Sequence, residues 1–88
     1  MTAINLEWLE DFILAAEKKN FTTAANIKKV TQPTLTRRIK SLEEWLGKEL
    51  FDPEAGRRAL TPAGHAFLPF AQELVSKAKA ARSQIRKL

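Results

Sequence analysis

The chain has no cysteine, no tyrosine, one histidine and only three glycines in 88 residues. Without cysteine there is no disulfide framework, no thiolate zinc site and no cysteine nucleophile, and nothing demands an oxidising compartment. One histidine leaves little scope for a metal cluster. The glycines, Gly47, Gly56 and Gly64, are isolated, so no phosphate-cradling loop is present. No Ser/His/Asp spacing suggests a nucleophile with its base, and His65 reads as an ordinary surface or interface residue. The expectation is a protein that is not an enzyme and carries no metal or cofactor. The longest apolar run, residues 12–16, falls far short of the ~20 residues of a membrane span. The first five residues lack the basic region and apolar stretch of a signal peptide, so the expected location is the cytoplasm. Apolar residues still make up 44% of the chain, which is enough for one packed core and too much for a disordered tail.

Acids are also absent from one stretch. Residues 21–42 hold Lys28, Lys29, Arg37, Arg38 and Lys40 with no Asp or Glu, although the whole chain carries only +5. The flanks are acidic: Glu7, Glu10, Asp11 and Glu17 precede the block, and Glu43, Glu44, Glu49, Asp52 and Glu54 follow it. A basic block between acidic flanks is the footprint of a polyanion-binding surface. On charge alone a solvated helix face explains it equally well.

Apolar periodicity supplies the elements. Asn5 caps a first helix on which Leu9, Phe12, Ile13 and Ala16 form a buried stripe, with Lys18 and Lys19 in its last turn and Asn20 ending it. A short second helix takes Thr22 as its cap and Thr23 to about Lys28 as its body, with the small Ala24 and Ala25 permitting a close crossing. Lys29 and Val30 make a tight turn, and Thr31 caps a third helix with Pro33 in its first turn. Leu35, Ile39, Leu42 and Leu46 form that helix's buried stripe, and Gly47 supplies a left-handed terminus. Gln32, Thr34, Thr36, Arg37, Lys40 and Ser41 lie largely off the stripe, giving an opposite face of hydrogen-bonding and cationic groups. Two short extended pieces around residues 53–56 follow, leaning on the helices through Leu50, Phe51 and Leu60. A long helix over 62–88 opens at Thr61 and Pro62, and Pro69 should kink it or remove a backbone bond. Phe67, Phe70, Leu74, Ala78, Ala81, Ile85 and Leu88 step by three or four along it. A helix of ~40 Å exceeds what so small a core can cover, so part of this stripe is expected to meet a partner. Trp8 and Trp45 read as packing residues.

A short helix, a tight turn and a longer helix with a polar outer face form a helix-turn-helix, whose second helix fits a major groove. The motifs Phe21-Thr22-Thr23-Ala24-Ala25, Val30-Thr31-Gln32-Pro33-Thr34-Leu35-Thr36-Arg37-Arg38-Ile39, Leu42-Glu43, Leu46-Gly47, Leu50-Phe51 and Leu60-Thr61-Pro62-Ala63-Gly64 together resemble the N-terminal domain of LysR-type transcriptional regulators. The match is ordered and runs from about Leu6 to Leu74. The resemblance implies a mainly α fold: a winged helix-turn-helix of three helices plus a small two-stranded wing over residues 1–61, then a linker and dimerisation helix over 62–88. It implies a bacterial regulator that binds dyad-symmetric, double-stranded promoter DNA as a homodimer. Full-length members continue into a domain that binds a small-molecule effector.

Carried over by position, the base-reading and backbone contacts fall on Thr31, Gln32, Pro33, Thr34, Thr36 and Arg37. Thr22 and Thr23 fall where the preceding helix approaches phosphate, and Arg57 or Arg58 where the wing arginine sits. Lys29, Arg38 and Lys40 complete the expected DNA surface, Arg38 at its flank. Phe67, Phe70, Leu74, Ala78, Ala81 and Ile85 form the expected dimer stripe. The chain departs from the family pattern in three places. Lys28 replaces a usually buried leucine, with Ile27 beside it at a usually polar place; either the helix end rotates or the lysine stem packs while its amine snorkels out. Pro53 replaces a common arginine, and Glu54 puts an acid in the wing turn. Two rival classes predict different behaviour. A helical interaction module would dimerise without salt-dependent DNA affinity. A membrane-surface helix built on Lys77, Lys79, Arg82, Arg86 and Lys87 would bind anionic vesicles, and it leaves the Thr31-Gln32-Pro33 helix start unexplained.

Overall fold

A computed structural model describes residues 3–56 and 59–88. Four helices follow one another: α1 (Leu6–Lys18), α2 (Phe21–Lys28), α3 (Gln32–Leu46) and α4 (Pro62–Arg86), with a short 3-10 turn at Pro53–Ala55. Each helix starts where a side chain satisfies a free backbone N–H. Asn5 accepts from Glu7 N, Thr31 from Thr34 N and Thr61 from Gly64 N, at 2.8, 3.3 and 3.0 Å. The second helix starts earlier than its threonines suggest. Asn20 is its cap, accepting from Thr23 N at 2.9 Å, so Thr22 and Thr23 lie inside the first turn. Asn20 does not end α1 either: Lys19 does, in the left-handed conformation at φ 53°.

α1 packs against α2, α3 and α4, and α2 packs on α3. Phe12 of α1 is the centre of the core. Its ring meets Phe51 edge-on at 5.6 Å and lies 5.7 Å from Phe67, while Phe21 meets Phe51 at 4.9 Å. Leu35, Ile39 and Leu42 bring the inner face of α3 to this cluster, and Ala24 and Ala25 let α2 approach closely. On α4 the core-facing arc is made of small residues, Gly64, Ala71 and Val75, beside which Phe67 and Ala78 are half-buried. Pro69 lies inside α4, which runs unbroken through it.

Among the described residues the two extended pieces hold one antiparallel bridge, Phe51 with Leu60. Pro53 has no N–H to donate to a ladder, and the chain turns at once into the 3-10 turn capped by Asp52. The base of the wing is nevertheless held firmly. Asp52 N donates to Ala59 O at 2.9 Å and Thr61 N to Leu50 O at 3.0 Å. The Thr61 hydroxyl donates to Glu49 O at 2.6 Å. Leu50 and Phe51 are buried, as the hairpin's dependence on the helices requires.

Candidate nucleic-acid interface

The turn between α2 and α3 sets the geometry of the site. Lys29 sits in the left-handed region at φ 60°, an uncommon place for a residue with a Cβ. Its N–H bonds back to Asn26 O, and Val30 N bonds to Ala25 O at 3.0 Å. This closes α2 and reverses the chain within three residues. Thr31 then caps α3, and its hydroxyl also lies 2.9 Å from that of Thr34.

With Leu35, Ile39 and Leu42 buried, the opposite side of α3 faces outward. Thr31, Gln32, Pro33, Arg37 and Lys40 are exposed, and Thr34 and Thr36 are half-buried beside them. Gln32 Nε2 donates to Thr36 Oγ1 at 2.9 Å. This braces the amide along the helix and leaves its second N–H and its carbonyl oxygen for another partner. Thr22 and Thr23 are exposed in the first turn of α2, where N–H groups and the helix dipole favour an anion. Arg57 and Arg58 lie outside the described residues.

The basic block does not act as one surface. Lys28, whose amine was expected either to snorkel out or to follow a rotated helix end, turns back onto α1. Its Nζ lies 3.4 Å from Glu7, 3.7 Å from Glu10 and 3.6 Å from Asp11. Arg38 is drawn the same way, with Nη1 3.5 Å from Asp11 and 3.7 Å from Glu7. The structure therefore turns Arg38, expected at the flank of the DNA surface, toward α1. Lys29, Arg37 and Lys40 remain as exposed cations of the block. Asp11 is fully buried between the two inward cations. Burial pushes its carboxyl above the ordinary aspartate value, against the opposing pull of Lys28 and Arg38, while Glu7 reinforces the rise.

Two residues at the site carry roles that the sequence pattern did not assign. Asp11 is one; Trp8, Asp11, Phe12 and Ala15 follow the i, i+3, i+4, i+7 rule, so an acid stands on a buried stripe while a lysine stands at a usually buried position of α2. That coincidence is the readable signal of a buried pair. Glu43 is the other: its Oε2 accepts from Leu50 N at 2.8 Å and Phe51 N at 3.4 Å, tying α3 to the wing base. Trp45, expected to pack, is 44% exposed. Phe70, Leu74 and Ile85 form an exposed apolar line on α4 at 64, 48 and 66% exposure, and Ala81 lies on it, also exposed.

A capped recognition-type helix presenting amide, hydroxyl and guanidinium groups, set by a tight turn on a three-helix core with a wing at its edge, defines a winged helix-turn-helix DNA-binding domain. Residues 6–65 match the family described as "Bacterial regulatory helix-turn-helix protein, lysR family", and the chain belongs to that family. It is 43% identical over 72 residues to the uncharacterized HTH-type transcriptional regulator YbhD of Escherichia coli K12, covering 82% of this chain and 23% of that protein. It is 40% identical over 82 residues to the HTH-type transcriptional regulator ShiR of Corynebacterium glutamicum, covering 93% and 28%. The chain thus spans about a quarter of the length of these relatives. Among solved structures, Vibrio fischeri DarR in complex with DNA superposes with a TM-score of 0.93 at 42% identity, covering 98% of this chain and 30% of that one. The DNA-binding domain of BenM in its catB site 1 DNA complex gives 0.87 at 34% identity, covering 94% and 93%.

Proposed function

We propose that this chain reads double-stranded promoter DNA in a sequence-selective way, with α3 lying in the major groove. The observation that carries the reading is the outward face of α3. Its first three turns hold Gln32, Thr34, Thr36, Arg37 and Lys40 with no acid, on a helix whose other face is locked into the core. Gln32 suits the N6/N7 edge of adenine and Arg37 the O6/N7 edge of guanine. Thr31, Pro33, Thr34 and Thr36 approach bases and backbone at the helix start. Lys29 and Lys40 anchor phosphates, as do the α2 N-terminus at Thr22 and Thr23 and a wing arginine, Arg57 or Arg58. Residues 1–61 are the reading unit, and 62–88 form a linker helix that pairs two copies on a dyad-symmetric site. A small-molecule effector acts through a further C-terminal domain of the whole regulator, a cytoplasmic protein without enzymatic activity. DNA complexes of DarR and the BenM domain support this reading; among the described residues no helix is long and apolar enough to cross a membrane.

Selection from a random duplex library tests it. Gln32→Ala and Arg37→Ala should each flatten preference at one base position per half-site, a loss of roughly 1–3 kcal/mol of discrimination. Lys29→Ala, which keeps a Cβ at the same strained φ, should weaken all sequences about equally. An unchanged preference profile in both α3 variants, with only total affinity reduced, overturns the assignment of these residues as readers.

A further inference from the structure

The five cations of residues 28–40 divide into two groups, and the division has a consequence for selectivity. Lys28 from α2 and Arg38 from α3 converge on one carboxylate of α1, each cation approaching a different oxygen of Asp11. Glu7 touches both cations, and Glu10 touches Lys28 and, at 4.0 Å, Lys79 of α4. Acids from one helix thus engage a base from each of the other three. The contacts to Asp11, at 3.5 and 3.6 Å, are longer than good hydrogen bonds. A buried charge group of this kind adds little to stability compared with an apolar packing of equal volume. The raised affinity of the Asp11 carboxyl for its proton points the same way, since burial outweighs the nearby cations there. An apolar contact would join the helices with less desolvation. A carboxylate does what a leucine does not: it occupies a guanidinium.

We propose that Asp11, assisted by Glu7, is a specificity-determining residue that withholds Arg38 and Lys28 from DNA by taking the place a phosphate would take. Arg38 directly follows Arg37 on the reading helix and its side chain is 26% exposed. A guanidinium at that place pairs with phosphate oxygens as readily as with carboxylate oxygens. Phosphate pairing of Arg38 would strengthen binding to every sequence alike, because backbone contacts carry no base information. Holding it on α1 lowers non-specific affinity and leaves Gln32 and Arg37 as the groups that discriminate. The inference rests on the DNA-binding reading above.

The test is the salt dependence of affinity of the 88-residue chain for a random-sequence duplex, titrated in KCl. Each phosphate contact contributes about −0.9 to the slope of log K against log salt. Lys29→Gln and Lys40→Gln should flatten the slope, each by up to ~0.9, whereas Arg38→Gln should leave it unchanged. Asp11→Asn should steepen it, and the added steepness should vanish in Asp11→Asn/Arg38→Gln. A loosened fold would weaken binding without adding a counterion that depends on Arg38. Glu7→Gln, at a side chain 48% exposed, should act in the same direction and does not depend on tolerance of a buried substitution. Flattening by Arg38→Gln as large as that by Lys40→Gln overturns the inference while leaving DNA binding intact. Absence of any salt-dependent binding by the unaltered chain overturns the DNA-binding reading itself, and the inference with it.

Discussion

Leu74→Asp tests whether the exposed line on α4 pairs two copies of this chain. Phe70, Leu74 and Ile85 keep 64, 48 and 66% of their surface in the monomer. Fully burying one such side chain yields ~1.5–3 kcal/mol, so covering what remains exposed on these three yields about 3–5 kcal/mol per copy. A two-fold pair counts each contact twice, giving roughly 5–11 kcal/mol before costs. Loss of translational and rotational freedom costs ~4–15 kcal/mol, so the pairing of this chain alone is expected to be weak and visibly concentration-dependent. Removing Leu74 from both copies forfeits about 1.4–3 kcal/mol of apolar burial, a factor of ten to about a hundred in dimerisation constant. The two facing carboxylates add desolvation and repulsion. Sedimentation at micromolar to sub-millimolar concentrations should show a monomer–dimer equilibrium for the unaltered chain and monomer for the variant. Binding to a duplex with two half-sites should weaken strongly, while binding to one half-site should change little, because Leu74 is remote in sequence from the reading helix. A variant that dimerises with an unchanged constant and binds the two-half-site duplex normally refutes the pairing.

Three further outcomes follow from local geometry. Gly64→Ala should destabilise the fold by about 1–3 kcal/mol, the usual range for overpacking, since a Cβ there runs into the Leu50 carbonyl oxygen; denaturant unfolding followed by tryptophan fluorescence checks it, and a stabilised variant would mean that helix propensity outweighs the clash. Asn20→Ala should cost ~0.5–2 kcal/mol as a lost helix cap, whereas Thr22→Ala should be nearly neutral; equal costs would return the cap to Thr22. Asp11 takes up a proton at higher pH in the folded chain than in the unfolded one, so the folded state binds more protons between the two values. Its contribution to stability therefore falls as pH rises through that window and grows as pH falls from neutral toward ~4. The stability difference between the unaltered chain and Asp11→Asn should move in favour of the unaltered chain over that range, and a difference independent of pH contradicts the assignment.

What could be read in the sequence was whatever is local. Thr31, Pro33, Gly47, Thr61 and Pro62 mark helix ends because caps, N1 prolines and left-handed glycines act within one turn, and the structure keeps all of them. Asn20 is ambiguous in the sequence because asparagine suits both a helix end and a helix start, and a two-residue gap offers both roles to one residue. On α4 the larger apolar residues draw attention to the outer line. The core-facing arc beside it is built from Gly64, Ala71 and Val75, whose small side chains give a weak periodic signal. The wing reads as a hairpin because Leu50, Phe51 and Leu60 are apolar; among the described residues it holds one bridge, and Pro53 has no N–H to extend it. Charge was the least legible feature. Lys28 and Arg38 are neutralised by acids seventeen or more positions earlier in the chain, contacts that exist only after α1 has packed across α2 and α3.

The same packing would link the proposed reading to the proposed pairing. α1 packs on both α3, which carries the proposed reading face, and α4, which carries the apolar line. Phe12 of α1 touches Phe67 of α4 and Phe51 at the wing base, and Phe51 is tied to α3 through Glu43. Two recognition helices brought together by α4 would therefore stand at a separation fixed by rigid aromatic and hydrogen-bonded contacts running through one core, not by a flexible connection. A weak pairing of isolated chains is then compatible with tight binding to a two-half-site duplex. The first bound copy presents its α4 at a fixed place, so the second pairs at high effective concentration. On this arrangement selectivity has two physical sources: the base edges read by Gln32 and Arg37, and the half-site spacing that the core enforces.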